Sequence, residues 1–293
     1  MSHGGDIRGK TADISMVILA AGLSRRMGVF KPLLPVGDLP AILRCVRTAE
    51  EAGVRAAVVV TGHKNEELES VVRAGAKSAQ LVHNSMYRDE MFSSVRVGVS
   101  ALPSDTDGFF LLPADCCAFA HGTMISLIRR FADDGGKSVV RPINHGRRGH
   151  PPLIPVRFID PLLSFSGQNG LKGFLSPLPT VEVETNDAGT LLDMDTPDDY
   201  AALLEHLGLP CYPNRAQCAE LMEKYHVPPN IVKHGEQVAS VAIDFAHQMQ
   251  ARGALLDIAL LESACLLHDI RKGAREDRGH AREGMDVLLR EGY

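Results

Sequence analysis

The segment from Leu19 to Lys31, LAAGLSRRMGVFK, combines the residue types that an anionic ligand requires. Ala20, Ala21 and Gly22 are small enough for the backbone to pass close to a ligand and aim N–H groups at phosphate oxygens. Arg26 and Lys31 add side-chain charge. Attack on the α-phosphorus of a nucleoside triphosphate gathers negative charge on the equatorial oxygens and the departing pyrophosphate, and fixed cations stabilise that charge. The loop thus reads as a nucleotide grip: Leu19, Ala20, Ala21 and Gly22 form its backbone part, and Arg26 and Lys31 are nucleotide-binding and catalytic cations. Neither a G-x-G-x-x-G spacing nor G-K-[ST] is present, so a Rossmann turn and a P-loop lose; a solvated basic turn is the plain alternative. Two acidic positions follow, Asp115 after an apolar run and the turn Asp193-Met194-Asp195. Far along the chain, His234 and the pair His268-Asp269 offer two imidazoles and a carboxylate. These are good ligands for a divalent transition metal if their helices converge inside a bundle.

The elements that must position these groups follow from periodicity. An apolar run, Ile14 to Ala20, precedes the loop; a helical segment, Pro40 to Ala52, and the β-branched run Val54 to Val60 complete a βαβ pattern. A strand over Gly108 to Leu112 leads to Asp115, and a helix over Gly122 to Ala132 extends the alternation. The expected fold is α/β, an open, mostly parallel, Rossmann-like sheet, with ligands at the carboxyl ends of its strands, where the loop and Asp115 both fall. A strand from Val181, the acidic turn and a helix near Asp198 close this unit, with Thr196 as cap and Pro197 in the first helical position.

The segment LGLPCYPN, Leu207 to Asn214, carries a Gly and two prolines and marks a seam. Domains are expected over residues 12–208 and 213–293, the second all-α. There Ile231, His234, Val238, Val241, Phe245 and Met249 recur at helical steps and should face the core, and Leu255 to Leu267 reads as a second helix whose apolar run is broken only by Asp257, Glu262 and Ser263.

With 293 residues, 45% apolar and 23% charged, the chain suits two folded domains. A net charge of -5 without a basic stripe argues against nucleic acid and anionic membranes as partners. Six scattered cysteines with no CxxC spacing argue against a disulfide scaffold or zinc ribbon, and a cytoplasmic location is expected. Cys116 and Cys117 read as buried small hydrophobes. The polar stretch Met1 to Thr11 reads as a loose tail, and no apolar run is long enough to span a membrane.

The phrase LAAGLSRRMGVFKPLLPVGDLP resembles the signature of molybdopterin nucleotidyltransferases and related sugar-nucleotide pyrophosphorylases. NSMYRDEMFSSVRVG (Asn84 to Gly98), GHPPLIP (Gly149 to Pro155), Gly170-Leu171-Lys172 and LLDMDTPDDY (Leu191 to Tyr200) continue the resemblance to the cytidylyl-transferring branch over about residues 14–205. The resemblance implies Mg²⁺ held by Asp115 and Asp195, with Asp193 either an outer neighbour or a turn residue. It further implies a nucleotide contact at Ser94 and in-line attack by a phosphomonoester oxygen such as that of molybdopterin; His150 and Lys172 are candidate acceptor contacts, with a packed loop residue the alternative reading of His150. Ala21 is similar to the residue of CTP users, where the GTP-using branch usually carries Gly. CTP and a phosphorylated small molecule are thus the implied partners, with a molybdoenzyme a candidate further partner. The chain departs from the family at Ala114, Cys116 and Cys117, and Lys172 stands where an arginine is common; these departures bear on the acceptor more than on the phosphate chemistry.

VKHGEQVA (Val232 to Ala239), LLHDIRKG (Leu266 to Gly273) and Gly279-His280 resemble the HD phosphohydrolase superfamily, which implies a metal held by His234, His268 and Asp269. The family's further aspartate has no match here, Asp286 included, so the unit is expected to keep part of a metal site and to hydrolyse poorly. The alternatives to CMP transfer are an HD-type phosphohydrolase with a nucleotide-sensing first domain, a sugar-phosphate nucleotidyltransferase, and a cofactor-carrying binding protein.

Overall fold

Six consecutive buried residues, Ile14–Leu19, form β1 at the heart of an eight-stranded sheet. Strands buried on both faces read as continuous apolar runs, which is why ISMVIL shows no alternation. The computed structural model describes residues 12–27, 29–252, 254, 256–272 and 280–293, residue 280 by its backbone only. The expected tail before residue 12 lies outside them, as do Leu255, Gly273 and Gly279.

Along the chain, β1 is followed by a short ribbon of β2 (Pro35–Val36) and β3 (Leu39–Pro40), then α1 (Ala41–Glu51), β4 (Ala56–Thr61), α2 (Asn65–Gly75), β5 (Gln80–His83) and α3 (Met91–Ser100). Next come β6 (Gly108–Pro113), α4 (His121–Asp133), β7 (Val139–Asn144), β8 (Arg147–Arg148), β9 (Leu153–Pro155), α5 (Ile159–Ser164), α6 (Gly170–Leu175), β10 (Thr180–Glu184) and α7 (Pro197–His206). The order across the sheet is β10-β7-β9-β6-β1-β4-β5, with β8 paired to β7. β1 runs parallel to β4 and β6, and β7 parallel to β10, whereas β9 lies antiparallel between β6 and β7. The expected open, mostly parallel α/β sheet is present, with β9 as its reversed member. The chain moves from β1 to β4 and β5 on one side and to β6 on the other, so the β1/β6 boundary is the point where ligands collect in such sheets.

One core layer packs Val17, Leu19, Val58 and Val60 with Phe109, Leu111, Val139 and Ile154 beneath α3, α5 and α6. Gly98 makes the approach of α3 possible, because a Cβ there would stand 2.4 Å from Val17 Cγ1 and 2.7 Å from Val60 Cγ2. The division of the chain into two compact units falls between Gly208 and Leu209.

The second unit contains α8 (Arg215–Lys224), α9 (Pro229–Gln250), α10 (Ile258–Leu267) and α11 (His280–Glu291). Its core joins Cys218, Leu221, Met222, Ala239, Leu266, Leu267, Ile270 and Val287. Two expectations are corrected here. The stripe Ile231, His234, Val238, Val241, Phe245, Met249 does not face the core: Val241 and Phe245 are 71% and 63% exposed. α9 instead buries Gly235, Ala239 and Ala246, because small residues let its backbone run close to α10; a Cβ on Gly235 would lie 3.0 Å from the Leu266 carbonyl oxygen. The second apolar helix begins at Ile258 and not at Leu255, with Asp257 as its N-cap, the carboxylate accepting the Leu260 N–H at 3.0 Å. No helix of the described residues is long and apolar enough to cross a membrane.

Candidate active site

After β1 the backbone stays tied to the sheet for two residues, Ala20 N–H donating to the Val60 carbonyl and the Ala21 carbonyl accepting from His63 N–H. The N–H groups of Ala21, Gly22 and Leu23 have no partner within the described chain. A Cβ on Gly22 would meet nothing within 4 Å, so the space above that residue is open. The loop returns through Ser24, whose hydroxyl accepts the Lys31 N–H at 3.1 Å. Leu19, Ala20, Ala21, Gly22, Ser24, Lys31 and Asp115 line one cleft together with Ser94, Tyr87 and Met91.

Lys31 is the centre of the charge arrangement. Its ammonium donates to Asp115 Oδ2 at 2.9 Å and to Asp195 Oδ1 at 2.6 Å. Arg26, 72% exposed, reaches the other oxygen of Asp195 at 2.7 Å. Residues 31, 115 and 195 are remote in sequence and meet only because the strands and loops that carry them end on one edge. Burial pulls the Lys31 ammonium pKa down, but the hydrogen bonds and charges of Asp195 and Asp115 outweigh it and leave it raised. The Lys31 hydrogen bond, with Arg26 assisting, holds the Asp195 carboxyl below its ordinary value. Asp193 is exposed and shifted upward, first by partial desolvation and then by the negative charges of Asp195 and Asp115.

The backbone around these carboxylates is tightly tied. Asp195 precedes the capping box of α7, in which Thr196 Oγ1 accepts the Asp199 N–H and Asp199 accepts the Thr196 N–H. Asp187 joins two segments: its carboxylate accepts from Ala120 N–H at 2.8 Å and Thr123 hydroxyl at 2.6 Å at the start of α4, and from Gly189 N–H at 3.1 Å. That clamp ties the segment leading to Asp195 to the loop that carries Asp115. A Cβ on Gly189 would lie 2.3 Å from the Ala118 carbonyl oxygen, so the close approach requires glycine. Arg44 adds a hydrogen bond to the Cys117 carbonyl at 3.0 Å. Cys116 and Cys117 are buried, as expected; burial pushes the Cys116 thiol well up and that of Cys117 to about 12, which keeps both protonated.

Ser94 is buried, its hydroxyl accepting from Asn84 Nδ2 at 2.9 Å. Tyr87 and Met91 lie within the quoted NSMYRDEMFSSVRVG phrase, yet nothing in their spacing marked them as cleft residues. His150 is half-buried with its N–H on the Thr190 carbonyl at 2.8 Å. Burial first, and the nearby Arg141 charge second, lower its pKa, while Asp115 opposes them. Lys172 is exposed on α6, with no side-chain contact to the cleft among the described residues.

In the helical unit, the close crossing at Gly235 brings His234 beside His268, ring centroids 5.4 Å apart. Ligand atoms of His234, His268 and Asp269 all lie within 4.8 Å of one another. His268 Nδ1 faces the Cys265 carbonyl at 2.8 Å; a carbonyl only accepts, so the proton sits on Nδ1 and Nε2 is left as the ligand atom. The cluster sits at the rim and not inside the bundle, a correction: the two imidazole side chains are 48% and 40% exposed and only Asp269 is buried. The reason is that His234 precedes the seam residue Gly235 and His268 caps the end of α10, so neither side chain points along the packed seam. Lys272 donates to Asp269 Oδ2 at 2.8 Å. Asp286 is exposed on α11 and does not join the cluster.

Comparisons with known proteins concern the α/β unit. The family model described as MobA-like NTP transferase domain matches residues 16–183. Molybdenum cofactor cytidylyltransferase of Escherichia coli (strain K12) is 26% identical over 196 residues, 66% of this chain and 96% of that protein. The crystal structure of Rv0371c from Mycobacterium tuberculosis H37Rv aligns with 67% of this chain and 100% of its own, at 25% identity and a TM-score of 0.53. A nucleotidyl transferase from Methanothermobacter thermautotroptrophicus aligns with 66% of this chain and 96% of its own, at 24% identity and a TM-score of 0.57.

Proposed function

The chain belongs to the MobA-like NTP transferase family and is a nucleotidyltransferase, and from that premise we propose that it transfers CMP from CTP to a phosphorylated acceptor, molybdopterin foremost, with Mg²⁺. The observation that carries this reading is the meeting of Lys31 with Asp115 and Asp195 at the cleft lined by Ala20, Ala21, Gly22 and Ser94. The choice of CTP and of molybdopterin rests on the Escherichia coli relative, itself a molybdenum cofactor cytidylyltransferase, and on Ala21 in the loop.

Two carboxylates, with the neighbouring Cys116 thiol buried, protonated and donating to Asp115 Oδ1 at 3.8 Å, suit a hard divalent cation that keeps several waters and binds substrate phosphates, so Asp115 and Asp195 would hold Mg²⁺. When bound, the ion neutralises the triphosphate and stabilises the charge that builds on the departing pyrophosphate. The unpaired N–H groups of Ala21, Gly22 and Leu23 receive phosphate oxygens, and the open space above Gly22 admits them. Lys31, which has both carboxylates as partners in the free protein, shifts its ammonium to the triphosphate when the site fills; Arg26 leaves Asp195 for the same anion. A phosphomonoester oxygen then forms a bond to the α-phosphorus as the bond from that phosphorus to the αβ-bridging oxygen breaks. The bridging oxygen departs with the electron pair on pyrophosphate, and a dianionic acceptor has no proton to remove.

The test is pyrophosphate release from a panel of nucleoside triphosphates with molybdopterin and sugar-phosphate acceptors. CTP with molybdopterin should be turned over at least about tenfold faster than GTP or ATP. Equal rates with all triphosphates, or turnover with sugar phosphates alone, would refute the donor or the acceptor assignment respectively.

A second reading concerns the helical unit, where the mixed His234, His268 and Asp269 set favours a divalent transition metal. We propose that the unit binds such an ion and, with Asp286 turned to solvent, hydrolyses phosphodiesters poorly. Brisk phosphodiesterase turnover with a full equivalent of metal would refute the second part.

A further inference from the structure

The GHPPLIP segment carries a group that the nucleotide grip leaves unused. His150 Nδ1 is buried without a hydrogen-bond partner, a state otherwise found among the described side chains only at Arg96 Nε. An unpartnered buried nitrogen costs free energy in the free protein and marks a place for a ligand atom. Its position is enforced: Gly149 donates its N–H to the Pro142 carbonyl, His150 donates to Thr190, and a Cβ on Gly149 would fall 2.6 Å from Thr190 Oγ1. The backbone that carries the ring is thus fixed by β7 on one side and by Thr190 on the other.

Next to it stands Arg141, on β7. The register pairs Val140 with Leu153 and Phe109 with Ile154. Since side chains alternate along a strand, Arg141 emerges on the face that carries Val139, Ile154 and Phe109, beneath α3, α5 and α6. Arg141 is half-buried and no carboxylate lies within ion-pair distance of it among the described residues. Its partner across the ladder, Glu182, is occupied by Arg148 Nε at 2.6 Å. Desolvation first, and then the like charge of Arg148, lower the Arg141 pKa, with Glu182 opposing. A partly desolvated guanidinium without a paired carboxylate favours an anion, and its planar fork matches phosphate. The register that pairs Ile143 with Arg148, continued by the Gly149 N–H on the Pro142 carbonyl, sets His150 across the ladder from Arg141, and the charges of Arg141 and Asp115 both act on His150.

We propose that Arg141 and the free Nδ1 of His150 form an anion subsite that holds the phosphomonoester of the acceptor beside Asp115, apart from the triphosphate loop. The direction of transfer rests on the function proposed above; the anion subsite rests on the unpartnered His150 Nδ1, the strand register and the half-buried Arg141. In this arrangement Arg141 is a binding residue for the attacking phosphate and sets acceptor specificity, while Arg26 and Lys31 serve the donor.

Inorganic phosphate titrated calorimetrically into the full chain, with and without Mg²⁺ and a non-hydrolysable CTP analogue that fills the loop, tests this. Phosphate should bind with the analogue in place, and Arg141→Gln should weaken it by at least roughly tenfold, the loss of one charge-assisted contact, while analogue affinity stays within about twofold. Arg141→Lys should recover part of the loss, and His150→Phe should weaken phosphate with an unchanged melting temperature. Phosphate affinity unaltered in Arg141→Gln and His150→Phe, under both conditions, would overturn the subsite. So would competition between phosphate and the analogue for one place. Failure of the analogue to bind refutes the CTP reading and leaves the Arg141 dependence of phosphate binding to decide the subsite.

Discussion

In the α/β unit Lys31 lies between two carboxylates, 2.9 Å from Asp115 and 2.6 Å from Asp195, whereas in the helical unit Lys272 lies 2.8 Å from one carboxylate, Asp269, beside two imidazoles. The first set is all oxygen and is assembled from three distant parts of the chain, so it exists only when the sheet is formed. The second combines nitrogen and oxygen at the crossing of two consecutive helices, α9 and α10. Hard oxygen donors suit Mg²⁺ and a triphosphate; imidazoles suit a transition metal. The lysines differ accordingly. Lys31 is buried and holds the two carboxylates together, as the place proposed for it in the chemistry requires, while the half-exposed Lys272 pairs with one acid.

The comparison breaks most readily at the lysines. Lys31→Met should lower kcat for pyrophosphate release by about 10²–10³, as expected for a fixed cation on developing charge; Lys272→Met should leave it within about twofold. Steady-state pyrophosphate assays on both variants check this, and equal losses would erase the distinction. Next in size, His268→Ala should weaken Zn²⁺ or Mn²⁺ binding by the helical unit at least roughly tenfold, since even outer partners of metal ligands contribute that much. Metal analysis after dialysis reads the effect, and Mg²⁺-dependent transfer should be unaffected.

Much of the first site is visible in the sequence because its parts are local: the loop from Leu19 to Lys31, the strand before Asp115 and the cap Thr196 before α7 each follow from short patterns. The Lys31 bridge is not visible, since nothing in the spacing of residues 31, 115 and 195 gives their separation. Asp187 escaped notice for the same reason: its clamp on the start of α4 spans 64 and 67 residues. Nor does the motif show the reversed β9 or the half-buried Arg141, which depend on sheet register. In the helical unit, apolar periodicity misplaced the buried face of α9. The seam there is made by Gly235, Ala239 and Ala246, whose small size favours close backbone approach but gives a weak hydrophobic signal.

Two smaller effects sharpen the contrast between a site fixed by a sheet and one fixed by a helix crossing. Asp187→Ala removes three hydrogen bonds to two segments and should destabilise the α/β unit by about 1–3 kcal/mol in denaturant unfolding. Transfer should slow several-fold with the KM for CTP unchanged. Gly235→Val would place side-chain atoms against the Leu266 carbonyl and should cost about 1–3 kcal/mol in the helical unit. Its effect on transfer should be nil, seen as an early unfolding step in a calorimetric scan with normal pyrophosphate release.

In the function proposed for this chain, the carboxylates at the end of the β-sheet, and not the histidines of the helical unit, serve the transfer reaction. Mg²⁺-dependent pyrophosphate release from CTP and molybdopterin, compared in Asp115→Ala and His268→Ala, measures it most directly. Release should be lost in Asp115→Ala and near normal in His268→Ala. Retained release in Asp115→Ala together with loss in His268→Ala would contradict it.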